Sequence, residues 1–175
     1  MLMLDLFAGL GGASAAMKDR GWDVVTVDND PAFGCGVTAD LSAWSWPGPR
    51  PDLVWASPPC TEFSRESMPW CRTGKEPSLA LVRAAMRIVR ECSPSWWVLE
   101  NVRGSIPYLT EELGEGPAMS VGPFFLWGRF PAFKARIRSK RKKESFTSAW
   151  RAERARVPYE VSRALAVACE STLFR

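Results

Sequence analysis

Three short stretches put reactive side chains just past apolar runs. Ser57-Pro58-Pro59-Cys60 follows Leu53-Val54-Trp55-Ala56, Glu100-Asn101 follows Trp96-Trp97-Val98-Leu99, and Asp28 follows Val24-Val25-Thr26-Val27. A thiol directly after two prolines sits on a stiff loop, and loops held by a rigid scaffold often carry function. Cys60 can be a nucleophile, a metal ligand or filler. The chain has no histidine. That excludes Ser-His-Asp and Cys-His nucleophile pairs, and the His-x-Glu arrangement of zinc deaminases. If Cys60 is a nucleophile, something other than imidazole activates it. Glu100 reads in two ways: as a cap for a following helix, or as a partly desolvated acid with a raised pKa that can give a proton to a ring nitrogen.

Phe7-Ala8-Gly9-Leu10-Gly11-Gly12 follows a further apolar run, Leu2 to Leu6. Its glycines let the backbone turn sharply and approach a ligand closely, and the helix expected after them offers unpaired N–H groups. Asp28 lies about 20 residues on, where a carboxylate can accept both hydroxyls of a ribose. These two features point to a nucleotide-like cofactor and leave a dinucleotide open.

Such groups need elements to hold them. Residues 2–6, 23–28, 53–56, 96–100 and 124–128 read as buried strands. A helix is expected over 12–20, stopped by Gly21. A second starts at Pro77-Ser78 with Ser78 as N-cap, presents Leu79, Val82, Met86 and Val89 on one face, and ends at Pro94. A third opens at Pro158, with Val161, Leu165 and Ala168 on one face. Strands alternating with helices predict an α/β fold with an open, mostly parallel sheet. Ligands bind such sheets at the carboxyl ends of the strands, where Gly9, Gly11, Gly12, Asp28, Cys60, Glu100 and Asn101 fall. The length of 175 residues predicts one domain, 1–175, without internal repeat or linker. Residues 129–156 are basic and fit no element.

The net charge of +4 is local. Residues 134–143, KARIRSKRKK, hold seven basic residues and no acidic one, leaving 16 basic against 19 acidic elsewhere. Such a run is either a solvated loop or a phosphate-binding segment. With no apolar run long enough to span a bilayer and no secretory signal, the expectation is an intracellular protein away from membranes. Five cysteines, at 35, 60, 71, 92 and 169, lack tight spacing. They read as reduced thiols, Cys71 and Cys92 as packing, with no C-x-x-C to hold a metal.

Taken together, Asp5-Leu-Phe-Ala-Gly-Leu-Gly-Gly12, Pro58-Pro-Cys60 and Glu100-Asn-Val102 resemble, in order and spacing, the cofactor, nucleophile and acid motifs of the cytosine-5 DNA methyltransferase family. Val27-Asp-Asn-Asp30 and Ala39-Asp40 sit where that family holds the ribose and adenine of S-adenosylmethionine. The resemblance covers residues 1 to about 108. It implies a Rossmann-like S-adenosylmethionine-dependent methyltransferase fold with helices on both faces of the sheet, and the setting of a restriction-modification system or a phage. Cys60 would add to carbon 6 of cytosine, Glu100 would protonate or hydrogen-bond ring nitrogen 3, and Asn101 would hold the Cys60 loop. Phe7 would pack near the adenine, and Asp5 would shape the cofactor end of the first strand. Gly9, Gly11, Gly12 and Pro58 would line the cofactor, with Gly9 and Gly11 against its methionine part. Asp28 and Asn29 would serve the ribose, and Asp40 the adenine amino group. The substrate would be duplex DNA with a flipped cytosine, bound by a monomer and touched by Ser64, Arg103, Lys134, Arg136, Arg138, Lys140 and Arg141.

Ser-Pro-Pro-Cys also overlaps the Ser/Asn/Asp-Pro-Pro-aromatic motif of amino-methyltransferases, but its fourth residue is a thiol where that chemistry needs a ring to stack the base. Past residue 108 there is room only for a short recognition segment. The family's Arg-x-Arg pair precedes a late strand, whereas Arg136-x-Arg138 follows one. The aromatic stretch Phe124 to Phe133 offers stacking surface, with Phe124 and Leu126 read as buried strand. A short target of about two to four base pairs follows from so small a recognition surface. RNA, free cytosine nucleotides, or a non-catalytic accessory role in S-adenosylmethionine and DNA binding are the alternatives.

Overall fold

The computed structural model describes residues 1–70, 72–137, 153 and 155–173. Seven strands form one sheet: β1 Leu2–Leu6, β2 Asp23–Asp28, β3 Val37–Thr38, β4 Leu53–Ala56, β5 Trp96–Asn101, β6 Met119–Val121 and β7 Phe124–Arg129, in the order β3-β2-β1-β4-β5-β7-β6. β1 to β5 pair with one another in parallel. β7 runs antiparallel to both β5 and β6. Strand order reverses between β1 and β4, which creates the crevice where ligands of open α/β sheets bind.

The central strands are apolar without alternation because both faces of the sheet are covered. All four residues of β4 are buried. On one face, Met3, Trp55, Val98 and Leu126 pack against Met17 of helix α1 (Ala15–Asp19) and Val161, Leu165 and Cys169 of α5 (Tyr159–Leu173). On the other, Leu4, Leu6, Val54, Leu99 and Trp127 meet Phe63 of α2 (Thr61–Glu66), Val82, Ala85 and Ile88 of α3 (Ala80–Cys92), and Leu109 of α4 (Ile106–Leu113). Helices on both faces of a mostly parallel sheet make this the Rossmann-like fold expected from the sequence.

The differences lie at element ends and in short elements. The first helix begins at Ala15, since residues 9–14 form turns in which Gly9 and Gly11 take φ of +50° and +65°. The second helix begins at Ala80 with Leu79 as N-cap, although the Ser78 hydroxyl still accepts the Ala80 N–H at 3.3 Å. On α5 the fully buried stripe is Val161, Leu165, Ala166 and Cys169, while Ala168 is half-buried. Burial pushes the Cys169 thiol up to about 12. Phe124 and Leu126 are core, as read from the sequence, and so is Trp127, while Phe130 and Phe133 are half-buried and pack onto that core. Among the described residues, no helix is long and apolar enough to cross a membrane. Cys71 lies outside them.

Candidate active site

Register brings the chemistry to one edge. Leu6 lies beside both Val27 and Ala56, and Ala56 beside Leu99. The next residues, Phe7, Asp28, Ser57 and Glu100, therefore leave four adjacent strands at the same level. The ladder continues past the strand ends through Ala8 N–H to Val27 C=O at 3.1 Å and Ser57 N–H to Leu6 C=O at 3.2 Å. The turn holding Cys60 is thus fixed to the sheet.

Pro58 is buried and Pro59 exposed. Cys60 is half-buried at the N-cap of α2, its carbonyl accepting the Ser64 N–H at 2.9 Å. Asn101 is 1% exposed. Its Nδ2 donates to the Pro58 carbonyl at 3.0 Å, and its Oδ1 accepts the Val102 N–H at 2.9 Å. One side chain thereby ties the end of β5 to the proline turn before the thiol. Glu100 is 7% exposed, and burial raises its carboxyl from 4.5 to about 7, with a hydrogen bond from Ser57 pulling the other way. The Ser57 hydroxyl accepts the Trp55 indole N–H at 2.8 Å, which leaves its own proton for Glu100. The helix-cap reading of Glu100 is overturned: the following turn, Arg103–Ser105, has no side-chain cap.

Across the crevice, Phe7 holds a left-handed backbone at φ +57°. Non-glycine residues in that region are strained and concentrate at functional sites. Asp28 is buried, and both its oxygens hold backbone: Oδ2 accepts the Gly9 N–H at 2.9 Å and Oδ1 the Asp30 N–H at 3.0 Å. A carboxylate oxygen has a second lone pair, so each can still take one donor. Asp5 is 1% exposed and raised to about 7, chiefly by burial, with hydrogen bonding from Ser14 opposing. Its Oδ2 has no partner. Asp40 is exposed, and its Oδ1 accepts the Ser42 N–H at 2.9 Å, which holds its carboxyl below the usual range. Asn29, the residue after Asp28 at the end of β2, is exposed.

A group not foreseen from sequence closes this loop from behind. The buried Ser162 hydroxyl donates to Ala13 C=O at 2.6 Å and accepts the Ala16 N–H at 3.1 Å. A Cβ on Gly12 would stand 2.5 Å from the Val157 carbonyl. Only glycine lets the start of the C-terminal segment approach so closely. Pro158 signals a helix start in the sequence, but nothing there shows that Ser162 reaches α1.

Glu66 also escaped the sequence reading. It is buried at the end of α2 and accepts from Thr73 N–H at 3.0 Å, Thr73 Oγ1 at 2.6 Å and Gly74 N–H at 3.0 Å. The Thr73 bonds hold its carboxyl down to about 2. It therefore folds back the loop that follows the Cys60 helix. Arg103 is exposed and shares a cavity of about 470 Å³ with Glu66, Ser67, Arg72 and Tyr108. Ser64 is half-buried on α2. Lys134 and Arg136 are exposed along α5, apart from that cavity. Arg129 donates to Pro94 C=O at 2.8 Å and serves the sheet. Arg138, Lys140 and Arg141 lie outside the described residues.

Comparison with known proteins adds the following. Residues 38–108 match the model of the C-5 cytosine-specific DNA methylase family. A candidate DNA (cytosine-5)-methyltransferase of Frog virus 3 (isolate Goorha) is 36% identical over 117 residues, covering 58% of this chain and 53% of that protein. The type II methyltransferase M.SacI of Streptomyces achromogenes is 38% identical over 65 residues, 35% of this chain and 16% of that one. The chain therefore spans about half the length of the first relative and a smaller part of the second. Among solved structures, similarity extends to a candidate DNA modification methyltransferase of an E. coli prophage, at 24% identity and a TM-score of 0.48 over 65% of this chain and 35% of that one. It also extends to the glycopeptide N-methyltransferase MtfA complexed with S-adenosyl-L-methionine, at 20% identity and a TM-score of 0.39 over 77% and 62%.

Proposed function

We propose that the chain, whose residues 38–108 match the model of the C-5 cytosine-specific DNA methylase family, is the catalytic domain of an enzyme that methylates carbon 5 of cytosine in DNA. The observation that carries this reading is the Asn101–Pro58 hydrogen bond. It couples a buried acid on β5 to the loop of a half-buried thiol, and a protein that only bound DNA would need neither group.

The sequence of events follows from the chemistry of cytosine, whose carbon 5 is a poor nucleophile. The Cys60 thiolate adds to carbon 6, and the ring electrons move toward nitrogen 3. Glu100, whose carboxyl burial raises to about 7 so that a large share of it still carries its proton near neutral pH, donates a hydrogen bond or a proton there. Carbon 5 becomes enamine-like and able to attack a methyl electrophile. Loss of the carbon 5 proton and departure of Cys60 then restore the ring. Asn101 and the two prolines hold the sulfur in attack geometry, a contribution worth several kcal/mol when reacting atoms are pre-positioned.

S-adenosylmethionine, when bound, supplies the methyl group. The residues at the crevice fit it. Asp5 Oδ2 is a buried acceptor without a donor, and Gly9 and Gly11 turn the loop with no side chain in the way. Asp28 would take ribose hydroxyls on its remaining lone pairs while keeping the Gly9 loop in place, with Asn29 beside it, Asp40 would take the adenine amino group, and Phe7 would flank the ring. A base in a duplex must leave the stack to reach Cys60, with Ser64 and Arg103 on the approach.

The test is methyl transfer. Protein, S-adenosylmethionine and unmodified duplex DNA are incubated, the DNA is digested, and 5-methylcytosine is quantified by mass spectrometry, with Cys60→Ser in parallel. The expected result is 5-methylcytosine with the intact thiol only. Product from Cys60→Ser at the same rate, or none from the wild type, would overturn the proposal.

A further inference from the structure

The basic run singled out in the sequence begins on a built surface. Residues 131–137 alternate: Phe133, Ala135 and Ile137 pack onto the core, while Lys134 and Arg136 face out. Opposite them runs α5. Between the two lies a groove of about 930 Å³ lined by Lys134, Arg136 and Arg163, with Tyr159, Phe133 and Val167 among its other walls. Tyr159 and Val167 are 44% and 40% exposed, high for large apolar side chains. The Tyr159 ring is held by its hydroxyl, which donates to Asp19 at 2.8 Å.

Most other arginines have partners. Arg20, Arg83 and Arg87 pair with Glu170, Glu112 and Glu91, and Arg50 bonds a carbonyl. Lys134, Arg136 and Arg163 make no hydrogen bond or ion pair with a described residue. The one acid in the groove wall is Glu160. Three cations with no partner among the described residues, set along a channel with an immobilised aromatic ring, match the chemistry of a nucleic-acid backbone groove. The groove leads to the reactive edge. Ile137 lies 3.1 Å from a Cβ placed on Gly122, in the turn between β6 and β7, and Val157, just before α5, packs behind Gly12.

We propose that the groove between residues 131–137 and α5 binds the phosphate backbone of the substrate DNA beyond the flipped base, with Arg163 acting beside Lys134 and Arg136. The assignment of DNA as occupant rests on the functional reading above.

The experiment measures binding of a 30-base-pair duplex by fluorescence anisotropy across salt concentrations, for the wild type, Arg163→Ala, the triple variant Lys134→Ala/Arg136→Ala/Arg163→Ala, and a charge-keeping Lys134→Arg/Arg163→Lys control. Each lost phosphate contact lowers the slope of log K against log salt by roughly 1. The expected result is a slope smaller by about 1 for the single variant and by about 2 to 3 for the triple, with the control close to wild type. S-adenosylmethionine affinity measured on the same samples should stay unchanged. An unaltered slope in the triple variant would overturn the proposal, as would loss of cofactor affinity together with DNA binding. So would binding of poly-glutamate that falls in the triple variant while the DNA slope holds, since that would assign the groove to an acidic protein segment. The slope does not depend on methyl transfer. A wild type that makes no 5-methylcytosine but shows the slope change would sink the enzymatic reading and leave the groove standing.

Discussion

Glu100→Gln gives the most quantitative prediction. The Glu100 carboxyl goes from 4.5 to about 7 in the folded chain because burial penalises its charge. Below pH 4.5 the group is protonated in both states and contributes nothing. Between 4.5 and 7 the unfolded chain releases the proton while the folded chain keeps it, so stability falls as pH rises. Above 7 both states are ionised and the penalty is complete. At about 1.4 kcal/mol per tenfold, the interval corresponds to roughly 3 kcal/mol as an upper bound. Glutamine is neutral throughout, and its carbonyl can still accept from Ser57. Glu100→Gln should therefore exceed the wild type by up to about 3 kcal/mol at pH 8.5 and match it near pH 4. Asp5, raised in the same sense, is common to both proteins and cancels. Urea denaturation at pH 4, 6 and 8.5 measures the difference. A difference that does not change with pH would refute the argument that Glu100 is held protonated by burial. Methyl transfer by the same variant should fall about 10²- to 10⁴-fold, the usual range for loss of a general acid.

Asn101→Ala removes the donor to the Pro58 carbonyl and should cost about 1–3 kcal/mol of stability. It should also slow methyl transfer more than it weakens cofactor binding, which stopped-flow turnover and calorimetry would separate. Ser162→Ala leaves Ala13 C=O and Ala16 N–H without their buried partner. A loss of about 1–3 kcal/mol and weaker S-adenosylmethionine binding are expected, read by thermal denaturation and titration. Gly12→Ala drives a methyl into the Val157 carbonyl. It should lower stability by about 1–3 kcal/mol, whereas an alanine at Gly116, where a Cβ meets open space, should change little.

The site's strands were legible because β4 and β5 are continuous apolar runs bounded by polar residues, and β1 and β2 are apolar runs interrupted only by Asp5 and Thr26, the mark of strands buried on both faces. α2 was not, since its two buried residues, Phe63 and Glu66, offer no periodicity in six residues. The role of Glu66 was hidden for a further reason: of its three donors in the following loop, the Thr73 and Gly74 N–H groups are backbone that any sequence could supply, and the third, the Thr73 hydroxyl, lies seven residues on in a loop without periodicity. The Phe124–Phe133 stretch was legible in part, with Phe124 and Leu126 read as buried strand and found so. β7 pairs with β5 on one edge and β6 on the other, so its side chains enter both cores. Ser162 and Val157 became functional candidates only through a contact almost 150 residues long in sequence. Local pattern carries no information on such a contact. The cations at 134 and 136 were visible as charge, yet their partner Arg163 lies on another element and was found only when α5 was seen beside them.

The central claim is that Cys60 adds to the cytosine ring, and covalent trapping tests it most directly. Duplex DNA with 5-fluorocytosine at the methylated position is incubated with protein and S-adenosylmethionine. Fluorine cannot leave carbon 5 as a cation, so the final elimination stalls with the sulfur still bonded to carbon 6. Intact mass spectrometry should show a single protein–DNA adduct heavier by one methyl, with the link mapped to Cys60 and absent in Cys60→Ser. An adduct on a different cysteine, or methyl transfer to unmodified DNA with no adduct on the fluorinated duplex, would contradict the account.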